Sequence, residues 1–523
     1  MRSILLRSRT VFWSILVLIT LAGFAIRNHD IASIPSGLFP DEAMNGTNAL
    51  EANRTGEYKL FYTDNFGREG LFINLQALAI RAFGNTIPAL KIWSVIFGSL
   101  AALGTGLLAW ELFRSRYAAI VASFLVATSY WAINFSRIGF RAIMVPFLLS
   151  FSFFFLFRGI RIQRFLPFAL SGLLFGLGLH TYVAFRLAPF ILILLFPFLL
   201  LSYPSFLRTF WKYILTFIVC AGISAAPMFY AFLTQPEIFS SRSSAISIFS
   251  PEVNKGNLLG TLGKTVGLSL IKYNFIGDQN WRHNYPPYPL LDPIIGISFL
   301  SGFLFSIWMF FRIFMTRIRT GRTDSELATH AFLLVGFLVM LAPEFLTDEG
   351  LPHALRAIGT QPFVFAFATI PLVFLFRKAS RSGGGTKVAL AITLMLIFSV
   401  SAVWNVSKYF LLFANRPEQH AAFSESYKNM ADYLISLPEE TKKYVVPEYF
   451  VAVQPIVFLT DGKVRNLELV NSETVIRTPA VILQQRYDAR IFENIHERMP
   501  SSYERIIDLK PGFGSQFTAI FIP

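Results

Sequence analysis

Residues 142–158 read Ala142-Ile143-Met144-Val145-Pro146-Phe147-Leu148-Leu149-Ser150-Phe151-Ser152-Phe153-Phe154-Phe155-Leu156-Phe157-Arg158. No charge falls between Arg141 and Arg158, and Ser150 and Ser152 are the only polar side chains in between. A helix on the surface of a soluble domain keeps a polar stripe; this segment has none. Its length approaches the roughly 20 apolar residues that cross a bilayer. Outward from it, ten further runs are of the same kind: 11–27, 89–113, 117–135, 165–180, 187–203, 211–233, 291–311, 329–346, 357–376 and 387–410. Charged residues make up 15% of the chain and hydrophobic ones 54%, with 57 Phe, against about 25% charged in soluble domains. The pattern predicts an all-α polytopic membrane protein of about eleven transmembrane helices. The first run has no small-residue cleavage site and more spans follow it, so it reads as a span rather than a signal peptide.

Lys and Arg in the short loops set the orientation. With Arg2, Arg7 and Arg9 in the cytoplasm, the cytoplasmic loops carry Arg114/Arg116, Arg158/Arg161/Arg164, Arg208/Lys212, Arg312/Arg317/Arg319/Arg322 and Arg377/Lys378/Arg381/Lys387. The formal charge of +15 is then a topology and anionic-lipid signal, not one for nucleic acid. Cys220 stands alone in an apolar run, so no disulfide forms within the chain.

Residues 1–410 thus form a transmembrane domain with two long outer loops, 28–88 and 234–290. In the first, 41–54 and 70–84 have helical apolar spacing (Leu71, Leu75, Leu78, Ala82) but are too short and polar to span; they read as helices in the membrane interface. Residues 257–275 read similarly. Residues 411–523 alternate helical patterns (422–437, 488–498) with β-rich runs such as Val481-Ile482-Leu483 and Phe517–Ile522. They predict a small C-terminal α/β domain, which an odd number of spans puts outside.

The unusual polar clusters gather on that outer side. They are Asp41 and Glu42; Arg137 and Arg141; His180, Tyr182 and Arg186; Asp278, Arg282 and His283; and His353 with Arg356. A carboxylate at the water–lipid boundary can act as general base on a hydroxyl, and Arg and His can hold a departing phosphate. That combination suits transfer of a group from a lipid phosphate to an alcohol. Each cluster also has a plainer reading: Asp41 as the cap of a helix starting near Glu42, the arginines as headgroup anchors, the aromatic and His residues as packing.

The chain resembles the GT-C membrane glycosyltransferases, in the branch of the protein O-mannosyltransferases and the bacterial lipid A aminoarabinose transferase. The resemblance covers roughly residues 10–376. It rests on Pro40-Asp41-Glu42-Ala43, Phe135-Ser136-Arg137 with Arg141, Leu179-His180-Thr181-Tyr182 with Arg186, Gly277–Asn284 leading to Leu290-Leu291-Asp292-Pro293, and Pro352-His353-Ala354-Leu355-Arg356. It implies inverting transfer from a polyprenyl-phosphate sugar, with Asp41 and Glu42 catalytic and Asp41 the base. Arg137, Arg141, Arg186, His353 and Arg356 would bind the donor phosphate, and His180, Tyr182, Asp278, Arg282 and His283 the substrates. Where some relatives carry a further acid beside the Arg of the second outer loop, this chain has Arg141. No metal ligand is therefore assigned and no cofactor is named, a divalent cation staying open. The partners implied are the donor, membrane lipids and an acceptor glycan, lipid or protein, at the plasma (inner) membrane with the site extracytoplasmic.

A transporter or flippase for a lipid-linked saccharide is the competing class. Transporters place ionisable groups near mid-bilayer; the middles of these spans contain none. The topology has a direct check. In a Cys220→Ala background, single cysteines introduced within 41–70, 277–287 or 411–523 should react with an impermeant thiol reagent from outside, and those within 114–116, 158–164 or 312–322 should not. Labelling of the tail from the cytoplasmic side would overturn it.

Overall fold

The computed structural model describes residues 8–236, 247–470 and 474–523. Arg2, Arg7 and residues 237–246 of the second outer loop lie outside the described residues. All eleven apolar runs are helical. Among the described residues, nine helices are long and apolar enough to cross a membrane: Arg9–Asn28, Ile87–Phe113, Arg141–Ile162, Val183–Ser202, Phe206–Thr234, Pro293–Thr320, Ser325–Phe345, Ile358–Ala379 and Gly384–Phe413. Two of the eleven differ from expectation. The run at 117–135 is broken at Ser129 into Arg116–Thr128 and Tyr130–Ser136, bent by 62°. The run at 165–180 is a shorter apolar helix, Phe165–His180. The helices expected at 41–54, 70–84 and 257–275 are Pro40–Thr55, Gly70–Phe83 and Leu258–Ile271.

The chain divides into two compact units. One comprises Met1–His29, Leu60–Phe72 and Ser94–Tyr409; the other comprises Asp30–Lys59, Ile73–Trp93 and Phe410–Pro523.

In the first unit, buried cations close the helix breaks. A bend frees carbonyls that lipid cannot hydrate. Arg27, fully buried, answers this at Ser129: it donates from Nη1 to the Ala127 carbonyl at 2.8 Å, from Nη2 to Val126 at 2.9 Å, and from Nε to Ser136 Oγ at 3.0 Å. On the other side of the break, Tyr130 N–H donates to Asn405 Oδ1 at 3.0 Å. Asn405 and Ser401 in turn donate to Asp292 Oδ2, at 2.8 and 3.0 Å, while Asp292 Oδ1 caps the helix Pro293–Thr320. At the predicted cytoplasmic ends, Glu111 is buried and surrounded by Arg114, Arg158 and Arg161.

The second unit holds a five-stranded sheet in the order β4-β3-β5-β7-β6. The strands are β3 Lys442–Val446, β4 Leu467–Leu469, β5 Ala480–Gln484, β6 Tyr503–Ile507 and β7 Phe517–Ile522; β1 Phe61–Tyr62 and β2 Arg68–Glu69 form a small hairpin in the first unit. Strands β3, β4 and β5 are parallel, and β7 runs antiparallel to β5 and β6. Tyr444, Ala480, Ile482, Ile495, Ile520 and Ile522 form the core of one face. The helix Pro40–Thr55 packs on Gln454–Thr460 through Gly46, where an added Cβ would come within 2.5 Å of the Phe458 ring. Arg54 pairs with Asp461 beside it. The tail therefore builds its unit together with pieces of the first outer loop.

Replacing Arg27 by Met would leave the Val126 and Ala127 carbonyls buried without a donor. Hydrogen bonds from charged donors are worth about 1.5–3 kcal/mol each, so the melting temperature in detergent should fall by several degrees. Arg9→Met, at an exposed position, should leave it unchanged.

Candidate functional site

The first cluster forms on a carboxylate. The short hairpin β1–β2 carries Glu69 into the interior, where its side chain is 2% exposed. Arg141 Nε donates to Glu69 Oε2 at 2.7 Å, and Arg186 Nη2 to Oε1 at 3.1 Å. Partners this close offset the cost of taking a carboxylate out of water. The Arg141 guanidinium lies over the Tyr182 ring at 5.5 Å and that of Arg186 over Phe232 at 4.8 Å. Both arginines keep 13–15% exposure, so a ligand could reach them. Glu69 was not among the expected site residues; its signal is the charged pair Arg68-Glu69 held between Gly67 and Gly70.

The second cluster joins the loops after residues 276 and 346. Asp278 Oδ2 accepts from His283 Nδ1 at 3.0 Å and from the Ala354 amide at 2.7 Å. The His283 and His353 rings lie 4.7 Å apart, and His283 stacks on Phe135 at 5.8 Å. Burial lowers the pKa of His283, against the opposing pull of Asp278. Asp278, His283 and His353 each offer one ligand atom, all within 4.8 Å of one another. One carboxylate and two imidazoles are a donor set that suits zinc or another borderline divalent ion. These three could hold one, a grouping not assigned from the sequence. Beneath them Glu344 accepts the His353 amide at 2.8 Å and forms a fully buried ion pair with Lys272.

The remaining expected residues are placed as follows. Arg356 lies in a turn, where its amide donates to His353 Nδ1 at 3.4 Å. Its guanidinium donates to Glu349 Oε2 at 2.6 Å and Thr347 Oγ1 at 2.8 Å. Arg282 donates to Asn280 Oδ1 at 3.2 Å, and its carbonyl accepts from Asn134 at 2.9 Å. His180 Nε2 meets the Ser224 carbonyl at 2.9 Å. Arg137 is wholly buried and donates to the carbonyls of Ile26 and Arg27 at 3.2 and 2.6 Å. It thus caps the C-terminal end of Arg9–Asn28, a placement that suits structure better than phosphate binding.

Asp41 and Glu42 belong to the other unit, in the first turn of Pro40–Thr55. The helix is capped at Phe39 with no side-chain hydrogen bond, so Asp41 is not its cap. Glu42 is fully buried, 3.9 Å from the equally buried Lys91. Asp41 is partly exposed.

No family model and no curated protein matches this chain. Solved structures do. ArnT from Cupriavidus metallidurans in the apo state is similar with a TM-score of 0.57 and 12% identity over 98% of both chains. The same protein bound to undecaprenyl phosphate gives 0.53, again with 12% identity over 98% of both. An Archaeoglobus fulgidus oligosaccharyltransferase complex with Zn and sulfate is more distant, with a TM-score of 0.45 and 14% identity over 85% of this chain and 61% of that one.

Lys272→Met should destabilise the protein by about 3–5 kcal/mol, because it strands a buried carboxylate. Adding Glu344→Gln should recover part of that loss in a double-mutant cycle read by denaturation in detergent. An additive double variant would show that the pair is not coupled. End-to-end likeness at 12% identity speaks to architecture: this chain has the fold of ArnT.

Proposed function

We propose that this chain is an integral membrane glycosyltransferase. It moves a sugar from a polyprenyl-phosphate donor to a hydroxyl of a glycan, lipid or protein acceptor, with inversion, on the outer face of the plasma membrane. The observation that carries this reading is the pair Arg141 and Arg186 converging on one buried carboxylate, in a chain with the fold of a protein that binds undecaprenyl phosphate.

Two guanidiniums fixed by a shared carboxylate present further N–H donors in a set geometry, which fits a phosphate better than two mobile side chains would. Glu69 is then a positioning residue, holding both forks in place before the donor arrives. Asp41 takes the proton of the acceptor hydroxyl. The freed oxygen attacks the anomeric carbon, the bond from that carbon to the phosphate oxygen breaks, and polyprenyl phosphate leaves with its added charge met by Arg141 and Arg186. The burial of Glu42 against Lys91 supports a division of labour: Glu42 anchors the helix start, and the partly exposed Asp41 does the chemistry.

Asp41→Asn should lower turnover by about 10²–10⁴-fold with little change in donor binding, as for loss of a general base. Arg141→Lys and Arg186→Lys should each weaken donor binding, since Lys keeps the charge and loses the fork. Near-normal turnover of Asp41→Asn would return that acid to a purely structural role.

A further inference from the structure

The sheet of the second unit has a topological switch point, and a cavity lies at it. Strands β3 and β5 are parallel neighbours. The helix that follows β5, Ala489–Arg498, packs on the face of Tyr444 and Ile482 through Ile491, Phe492 and Ile495. Val445 and Leu483 alternate to the opposite face and are equally buried. On that face lies Glu425–Ser436, its Tyr433 against Phe517 of β7. The helix after β3, Gln454–Thr460, packs on Glu425–Ser436. Adjacent parallel strands thus send their next helices to opposite faces, which opens a crevice beyond their C-terminal ends. Open α/β sheets bind ligands at that place. Here it is a cavity of about 380 Å³, lined by Pro447 and Glu448 after β3 and by Gln485, Arg486, Tyr487 and Asp488 after β5.

The lining selects the ligand. Two acidic residues and one arginine line the cavity, a balance that disfavours an anion. The N-terminus of Ala489–Arg498, where a phosphate would otherwise sit, already has the Asp488 carboxylate on the Arg490 amide at 3.1 Å. Neither loop contains a glycine to bring backbone amides close. What remains is a mixture of acceptors and donors beside an aromatic ring, Tyr487, that is 52% exposed. Its neighbours hold it in place: Tyr487 Oη donates to Glu504 at 3.1 Å, Tyr427 Oη to Glu448 at 3.1 Å, and Gln485 Nε2 to Ser426 Oγ at 3.3 Å. Hydroxyls need both donors and acceptors, and the C–H face of a sugar ring stacks on an aromatic one. Resting on the transferase reading above, we propose that this crevice binds a neutral or amino sugar of the acceptor. It belongs to the same unit as Asp41, whose helix packs on the helix leaving β3.

The test uses the full chain in detergent on an immobilised panel of neutral, amino and acidic oligosaccharides, with polyprenyl-phosphate-sugar hydrolysis measured on the same preparations. At least one neutral or amino saccharide should be retained. Tyr487→Ala and Glu448→Gln should each cut that retention at least tenfold, with donor hydrolysis within twofold of wild type. Retention of acidic saccharides alone, of none, or equally by both variants overturns the proposal. A wild-type chain that binds saccharide at the crevice but hydrolyses no donor supports the site and counts against the transferase reading.

Discussion

Several charges buried in this chain meet a buried or nearly buried partner, and those pairings join distant segments. Removing a charge from water costs several kcal/mol per ion, and only close, hydrogen-bonded partners offset it. Glu69 therefore draws in Arg141 and Arg186, from 72 and 117 residues away. Lys272 and Glu344 tie the end of the helix Leu258–Ile271 to the helix Ser325–Phe345. Arg27 reaches a hundred residues along the chain to the broken helix at Ser129. Apolar spans alone pack in many registers. The polar ties select one, and they lie at helix ends and breaks because there the backbone also needs partners.

The same rule separates structural arginines from those suited to a ligand. Arg137 is enclosed and ends on backbone carbonyls. Arg141 and Arg186 are anchored at one edge by Glu69 and remain partly exposed. In the proposed reaction, anchoring of that kind would pre-organise a phosphate site, so that little reorganisation is needed when charge develops on the leaving group. In the other unit Glu42 and Lys91 do the corresponding work for the start of the helix that carries Asp41.

The spans were legible because uninterrupted apolar runs need no tertiary information. The break at Ser129 was not: Ser129 differs little from other residues in membrane helices, and the bend depends on Arg27 and Asn405 from elsewhere in the chain. The interfacial-type helices and the α/β character of the tail came from periodicity. The joining of the tail to residues 30–59 and 73–93 did not, since close packing such as Gly46 on Phe458 leaves no local pattern. The site residues were read as polar clusters in outer loops, a reading that named Arg141, Arg186, Asp278, His283 and His353, which the structure gathers into two clusters. It passed over Glu69, Lys91, Lys272 and Glu344. Lys91 and Glu344 sit just inside apolar runs, where an ionisable residue is itself a signal.

The central claim is that polyprenyl-phosphate sugar is the donor and that its sugar is displaced in one inverting step. The most direct measurement is NMR of the anomeric configuration of the sugar released or transferred when the purified chain is incubated with such a donor of known configuration. The account predicts stoichiometric polyprenyl phosphate and a product of opposite anomeric configuration. A product with retained configuration, or donor recovered intact at saturating concentration, would contradict it.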